Sequence, residues 1–542
     1  MNRERHATVW RILLSVSFLA LGLLTDPALA QTKPPATEEM VKAGEKIYQR
    51  RCFFCHGEEG TGDGPVADYL DPRPRDFTVG MYKLRSTGSG SLPTDEDLFR
   101  TVTRGIPGTA MPTWGPYLTE MERWQVVYYI KTFFPEFDLP ELDPYKQVVE
   151  VSKQVPLSPE SVAKGREIFE REKCWECHGR EVRGDGIKIH KMKDAWDFPI
   201  RPADLTRSWR IKGGADPKDL YLRFTTGLDG TPMPSFINTL SAEERWHLAN
   251  YISSLHEISG TEGTTVLVSK RVEGEVPLDP NSSVWRDAPP LHVPLMGQVI
   301  AWPRWQNHSV DLITVRSVHN GKELAFLLQW DDPTEDRVHK DMKVPLDPED
   351  SYVKVADLPR KPNTFRDQLA LQFPVKPVEG ALKPHFLWGD RQRPVHLMVW
   401  RADQDALEEV NARGPFAELT PQPAEAQQGR AKSAWKDGQW TLVVVRPLKT
   451  GDKDDAQFGE GRLIPMAFNV WDGTNGEHGL IMSLSPWYYV ILEAPTSVLA
   501  YVVSLLGAVG LGLVFFRLNR KYRPMRGTAR QDEGSRSRSA PA

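Results

Sequence analysis

Cysteine and histidine carry the most telling chemistry in this 542-residue sequence. All four cysteines fall in two short motifs, Cys52-Phe53-Phe54-Cys55-His56 and Cys174-Trp175-Glu176-Cys177-His178. A C-x-x-C pair followed at once by histidine is the spacing that attaches a c-type haem. The thiols form thioether links to the haem vinyls, and the imidazole supplies the proximal iron ligand. A zinc site built from two C-x-x-C knuckles keeps its pairs roughly 15 to 20 residues apart, whereas Cys55 and Cys174 are separated by 119 positions (174 − 55). A dithiol redox pair does not require histidine after both second cysteines, and disulfides leave the two histidines unexplained. The motifs therefore predict two covalent haems on Cys52, Cys55, Cys174 and Cys177, with His56 and His178 as iron ligands.

The motifs head an internal repeat. Cys52 to Met111 and Cys174 to Met233 both span 59 positions (111 − 52 and 233 − 174), and each methionine is followed by proline, Pro112 and Pro234. Methionine is ordinarily a core filler, but the repeated distance and the flanking proline set Met111 and Met233 apart. Trp124 and Tyr129 recur as Trp246 and Tyr251, Gly44 and Tyr48 as Gly165 and Phe169, and Arg73-Pro74-Arg75-Asp76-Phe77-Thr78 is echoed by Arg201-Pro202-Ala203-Asp204-Leu205-Thr206. On these residues each repeat resembles a class I cytochrome c domain. The resemblance implies an N-terminal helix bearing Gly and an aromatic packed on a C-terminal helix bearing Trp or Tyr, with the haem clasped between them and a distal Met iron ligand from a Pro-rich loop, which falls on Met111 and Met233. With histidine and methionine on each iron there is no open position for a small substrate, and the thioether favours the ferrous state. That predicts relay sites of relatively high potential rather than catalytic ones. The expected all-α modules are 38–137 and 159–258, joined by a Pro-bearing linker, 138–158, stiff enough to limit their relative positions.

Beyond Ser259 the pattern turns extended. Val310 to Val318 and Glu323 to Trp330 flank Asn320-Gly321, and Ser433 to Lys436 and Gln439 to Arg446 flank Asp437-Gly438; both read as hairpins, the first as a type I′ turn. Residues 265–493 are expected to form an all-β antiparallel sandwich or barrel. Glu323 to Pro333, Asp367 to Pro374 and Phe468 to Gly473 resemble the haem-binding gamma subunit of ethylbenzene dehydrogenase and its relatives. These serve dimethylsulfide dehydrogenase, selenate and chlorate reductases and nitrite oxidoreductase. The resemblance implies a b-type haem held by Met and Lys, and electron transfer between an iron–sulfur subunit of a molybdenum enzyme and a soluble acceptor. At the expected methionine this chain has Trp388, in Phe386-Leu387-Trp388-Gly389-Asp390, and near the expected lysine it has Met482. Trp cannot bind iron, so either the b haem is lost and the domain docks a partner, or Met482, His385, His396 or Met398 takes over.

The ends predict location. Arg3, Arg5 and Arg11, the apolar run from Ile12 and Ala28-Leu29-Ala30 have the layout of a signal peptide, 1–30. Residues 497–516 are apolar enough for a transmembrane helix, and the basic flank 517–542 is expected in the cytoplasm with the globular part in the periplasm. A net charge of −4 argues against nucleic acid as partner. The sequence thus predicts a membrane-anchored electron-transfer subunit. Its expected partners are molybdenum and iron–sulfur chains on one side and a soluble cytochrome or terminal oxidase on the other. The alternatives are a haem enzyme such as a di-haem peroxidase, a stand-alone respiratory-chain cytochrome, and a generic cytochrome carrying a carbohydrate or adhesion module.

Overall fold

A computed structural model describes residues 33–256, 264–378, 382–495 and 498–521. The expected signal peptide and the tail beyond Lys521 lie outside the described residues. The first repeat forms helices α1 (Glu38–Arg51), α2 (Phe53–His56), α3 (Asp95–Arg104) and α4 (Glu120–Lys131), and the second forms α5 (Pro159–Arg171), α6 (Trp175–His178), α7 (Pro217–Thr226) and α8 (Ala242–Ser254). Local chemistry sets their ends. Thr94, Thr119 and Ser241 close capping boxes with Asp97, Glu122 and Glu244, which satisfies amide groups that the first turn leaves orphaned. Gly105 and Gly227 terminate α3 and α7 at φ of 68° and 67°, a region costly to other residues.

Gly44 and Gly165 explain the helix crossings. A Cβ on Gly44 would lie 2.0 Å from the Gln125 carbonyl oxygen, and one on Gly165 2.1 Å from that of His247. Only glycine lets α1 meet α4, and α5 meet α8, this closely. Beside each glycine the aromatics pack as expected, Tyr48 at 5.3 Å from Tyr129 and Phe169 at 5.6 Å from Tyr251. Trp124 stacks on Phe99 and Trp246 on Tyr221.

The segment 138–158 is tied down at both ends. Gly88 donates to the Gln147 carbonyl and Val149 to that of Ser86, while Val151 and Val155 enter the second module's core and Trp246 Nε1 donates to Ser152 Oγ. The modules also touch directly. Arg85, 1 % exposed, donates to the Thr226 carbonyl at 2.7 Å and pairs with Asp229 at 2.7 Å, and Arg223 donates back to the Arg85 carbonyl.

The remaining described residues up to Leu492 form fourteen strands: β1 (Val266–Arg271), β2 (Leu291–Pro294), β3 (Met296–Gly297), β4 (Leu312–His319), β5 (Glu323–Asp331), β6 (Gln368–Pro374), β7 (Val395–Arg401), β8 (Ala406–Ala412), β9 (Thr420–Pro421), β10 (Arg430–Lys436), β11 (Gln439–Pro447), β12 (Leu463–Trp471), β13 (Ser483–Leu484) and β14 (Tyr488–Leu492). Eleven of them run in the order β10-β11-β5-β4-β1-β14-β12-β6-β7-β8-β9, while β2 pairs with β4, and β13 with β12 and β3. The β11-β5-β4 half faces the β12-β6-β7 half across one core, where Trp330, Trp400 and Trp440 meet. The arrangement is a sandwich, with one departure from the antiparallel expectation: β1 runs parallel to both β4 and β14 and so joins the halves. The two hairpins differ. Asp437 and Gly438 both take positive φ, 49° and 74°, as a two-residue type I′ turn needs. At the other, the positive-φ residue is Gly321, because the Asn320 carboxamide instead accepts hydrogen bonds from the amides of Lys322 and Glu323. The expected type I′ turn gives way to a longer loop capped by a side chain.

Both helical modules rest on the sandwich. Tyr69 donates to Asp350 and Arg360 pairs with Asp71 from the first; Arg183 donates to the Asp437 carbonyl and Trp209 Nε1 to Asp311 from the second. Helix α9 (Val498–Lys521) forms a separate unit. It extends past the expected end at Phe516 into Arg517, Arg520 and Lys521, and its residues Val502–Lys521 are long and apolar enough to cross a membrane.

Candidate haem-binding site

Each C-x-x-C-H motif winds into a one-turn helix, α2 or α6, that ends at a positive-φ glycine, Gly57 at 79° or Gly179 at 78°. Cys52, Cys55, His56 and Met111 line one cleft, whose apolar wall includes Phe77, Leu98 and Val126. His56 Nδ1 lies 3.0 Å from the Arg75 carbonyl oxygen. A carbonyl only accepts, so Nδ1 carries the proton and Nε2 offers its lone pair, the tautomer that an iron ligand requires. His178 faces the Ala203 carbonyl in the matching place, without hydrogen-bond geometry at Nδ1. Burial pushes both imidazoles down to about 4, which keeps them neutral at physiological pH. Burial also pushes Cys52 and Cys174 up to about 12, against the deprotonated ligands of a thiolate metal site.

The methionine loops are built alike. Thr109 Oγ1 donates to the Ile106 carbonyl and accepts from the Met111 amide at 3.1 Å. Thr231 Oγ1 does the same between Leu228 and Met233, at 3.2 Å. Met233 and Cys174 border the same apolar cluster in the second module.

The Arg-Pro-x-Asp echo has a function that sequence reasoning noted without explaining. Its third residue supplies the carbonyl facing the proximal histidine, and its aspartate anchors the turn: Asp76 and Asp204 accept from the amide and hydroxyl of Thr78 and Thr206 at 2.8 and 2.6 Å. Sequence reasoning missed the cations. Arg51, Arg73, Arg75, Lys83 and, from the second module, Lys212 line the first cleft. Arg75 Nη1 is buried without a hydrogen-bond partner, and burial, with Arg75 and Lys212 nearby, pushes Lys83 down to about 7. An apolar cleft rimmed with cations fits a flat ring bearing two carboxylates, as haem does. Lys212 had no signal in the sequence, because it reaches the cleft only through the docking of the modules.

The positions expected to ligate a b haem do not fit one. Trp388 and Met482 are packed into one apolar cluster, and Trp388 Nε1 donates to Asn469 at 3.2 Å. Of the substitutes, His385 is exposed and stacks on Phe386, His396 is sealed among Glu409, Asp455 and Arg446, and Met398 belongs to the main core.

Comparison with known proteins bears on all three modules. A family model for the cbb3-type cytochrome c oxidase subunit III matches residues 39–130, one for cytochrome c matches 162–256, and one for ethylbenzene dehydrogenase matches 282–418 and 411–483. A Haloferax mediterranei protein provisionally named a respiratory nitrate reductase heme subunit is 26 % identical over 270 residues, 47 % of this chain and 88 % of that one. The chlorate reductase subunit gamma of Ideonella dechloratans is 28 % identical over 222 residues, 40 % of this chain and 80 % of its own. A chain solved in the Kuenenia stuttgartiensis reducing HAO-like protein complex is 45 % identical, over 41 % of this chain and 97 % of that one, at a TM-score of 0.38. Cytochrome c modules imply covalent haem c and electron transfer. With two of them ahead of the sandwich, the chain belongs to the cytochrome c family, and the domain behind them matches the family model for ethylbenzene dehydrogenase.

Proposed function

We propose that this chain is the di-haem cytochrome subunit of a molybdenum oxidoreductase complex, with nitrite oxidoreductase as the complex that the sequence resemblance favours. The observation carrying this reading is duplication: both repeats build the same one-turn cysteine helix and the same Thr-x-Met-Pro loop. Cys52, Cys55, Cys174 and Cys177 would tether the two haems, and His56 with Met111, and His178 with Met233, would hold the two irons. Haem iron supplies one-electron transfer between ferrous and ferric states. The protein's part is to shield that iron from substrate, orient the histidines, and hold the two modules in fixed relation through Arg85, Arg223 and the anchored linker. The sandwich docks the catalytic partners, α9 anchors the assembly in the membrane, and the globular part faces the periplasm with the tail in the cytoplasm. The acceptor is a soluble cytochrome or terminal oxidase. The nitrate and chlorate reductase names of the relatives support the class of complex. Purification of the detergent-solubilised complex is expected to bring molybdenum- and iron–sulfur-containing chains with this one; a lone chain, or one held by a quinol oxidase, would overturn the reading.

Two further outcomes are expected. Acid extraction followed by a pyridine haemochrome spectrum should find two covalent c haems and no extractable b haem, since Trp388 and Met482 fill the positions of the pair. Lys212→Gln should lower the potential of the first haem alone in a redox titration, because a nearby cation disfavours the more positive ferric form. An equal shift of both haems would remove Lys212 from the first site.

A further inference from the structure

Where the sandwich receives the second module, three strand ends bring carboxylates together in its interior. Asp332 follows β5, Asp367 precedes β6 and Asp472 follows β12, and all three are 0 % exposed. One oxygen from each lies within 4.8 Å of the others. Ligands on a single calcium ion, at about 2.3–2.6 Å from the metal, fall within about 5 Å of one another. The surrounding hydrogen bonds fix these groups while leaving ligand atoms open. Asp332 Oδ1 accepts from the Thr334 amide, Asp472 Oδ1 from the Asn475 amide, and Asp367 from the Gly473 and Asp336 amides and Trp440 Nε1. Asp332 Oδ2 and Asp472 Oδ2 remain buried with no hydrogen-bond partner.

The charge around these atoms is equally one-sided. Asp336 and Glu477 add two more carboxylates beside the three, and the cation paired with the trio is Arg201, whose Nη1 stands 3.7 Å from Asp472 Oδ2. Burying ionised carboxylates without compensation is costly enough that proteins pair them or bind metal. A second buried group makes the contrast. His396, Glu409 and Asp455 also converge, but the fully buried Arg446 reaches both Asp455, at 3.2 Å, and Glu409, at 3.6 Å. That group holds its own cation. The first does not.

We propose that Asp332, Asp367 and Asp472 bind a hard divalent cation of the calcium type, which ties three strand ends of the sandwich together beneath the second cytochrome module. An all-oxygen, carboxylate-rich donor set selects calcium or magnesium over softer metals. Because Arg201 comes from the second module, the ion also sets the charge that this module meets where it docks.

The test uses the full-length haem-loaded protein, exchanged into metal-free buffer and assayed for calcium and magnesium by mass spectrometry. One divalent ion per chain, beyond haem iron, is expected. EDTA should lower the unfolding temperature, and added calcium chloride should restore it. Asp332→Asn and Asp472→Asn, nearly isosteric changes at the two open oxygens, should each lose the ion and the calcium response while the haem spectra stay unchanged. If the wild-type protein carries no divalent ion and neither EDTA, calcium nor magnesium moves its unfolding temperature, the proposal is wrong and the carboxylates are held protonated. Retention of the ion in both variants would equally overturn it.

Discussion

Met111→Ala will convert one haem of the pair to a high-spin species and lower its potential, leaving the other untouched; Met233→Ala will do the same to the other haem. Thr109 and Thr231 hold the methionine amides in identical turns, and Met111 shares its cleft with Cys52, Cys55 and His56. If these sulfurs are the distal ligands, their removal opens the sixth position and withdraws the ligand that favours ferrous iron. Axial ligation moves haem potentials over a span of about 0.8 V, so the loss is expected to exceed the effect of any single surface charge. Redox titration monitored in the visible spectrum resolves the two transitions. Unchanged spectra and potentials in either variant would remove that methionine from the iron.

Gly165→Ala should destabilise the second module by an amount near the upper end of the ~1–3 kcal/mol typical of overpacking. Alanine gains about 1 kcal/mol over glycine in helix propensity, which favours the substitution in an isolated helix. Here the new methyl would sit 2.1 Å from the His247 carbonyl oxygen and 2.6 Å from Tyr251 Cβ, so α5 must back away from α8 and uncover the core at Phe169 and Trp246. The clash outweighs the propensity. Thermal unfolding followed at the haem absorbance should show the loss, and Gly44→Ala should show it in the first module, where the clash with Gln125 is 2.0 Å. An unfolding temperature equal to that of the parent would mean that the crossing has slack.

These two predictions show what was legible in the sequence. The cysteine motifs, the methionines, the glycines and the aromatics all stand at fixed spacings within one repeat, and local chain geometry carries each to its place. The Arg-Pro-x-Asp echo was visible too, but its role depends on a carbonyl oxygen, which no side-chain pattern reports. Lys212 at the first cleft, Arg201 beside Asp472 and the Arg85–Asp229 pair arise only when separate modules dock, so nothing in their immediate sequence marks them. In the sandwich the Asp437-Gly438 hairpin followed the rule for its turn, while Asn320 broke it by spending its side chain on the loop. The parallel seating of β1 against β14 joins residues 223 positions apart (489 − 266), beyond the reach of local alternation. Trp388 and Met482 stood out in the sequence as replacements for an expected iron-binding pair, and their packing into one apolar cluster gives that replacement a structural sense.

The central claim is that both haem sites are closed and serve only to pass electrons. Adding carbon monoxide to the fully reduced, full-length protein tests it directly, because the gas binds ferrous haem only where a coordination position is open. The account predicts no change in the visible spectrum and no shift in either potential. Stoichiometric binding at one haem would contradict it, and would point to a haem enzyme instead of a relay.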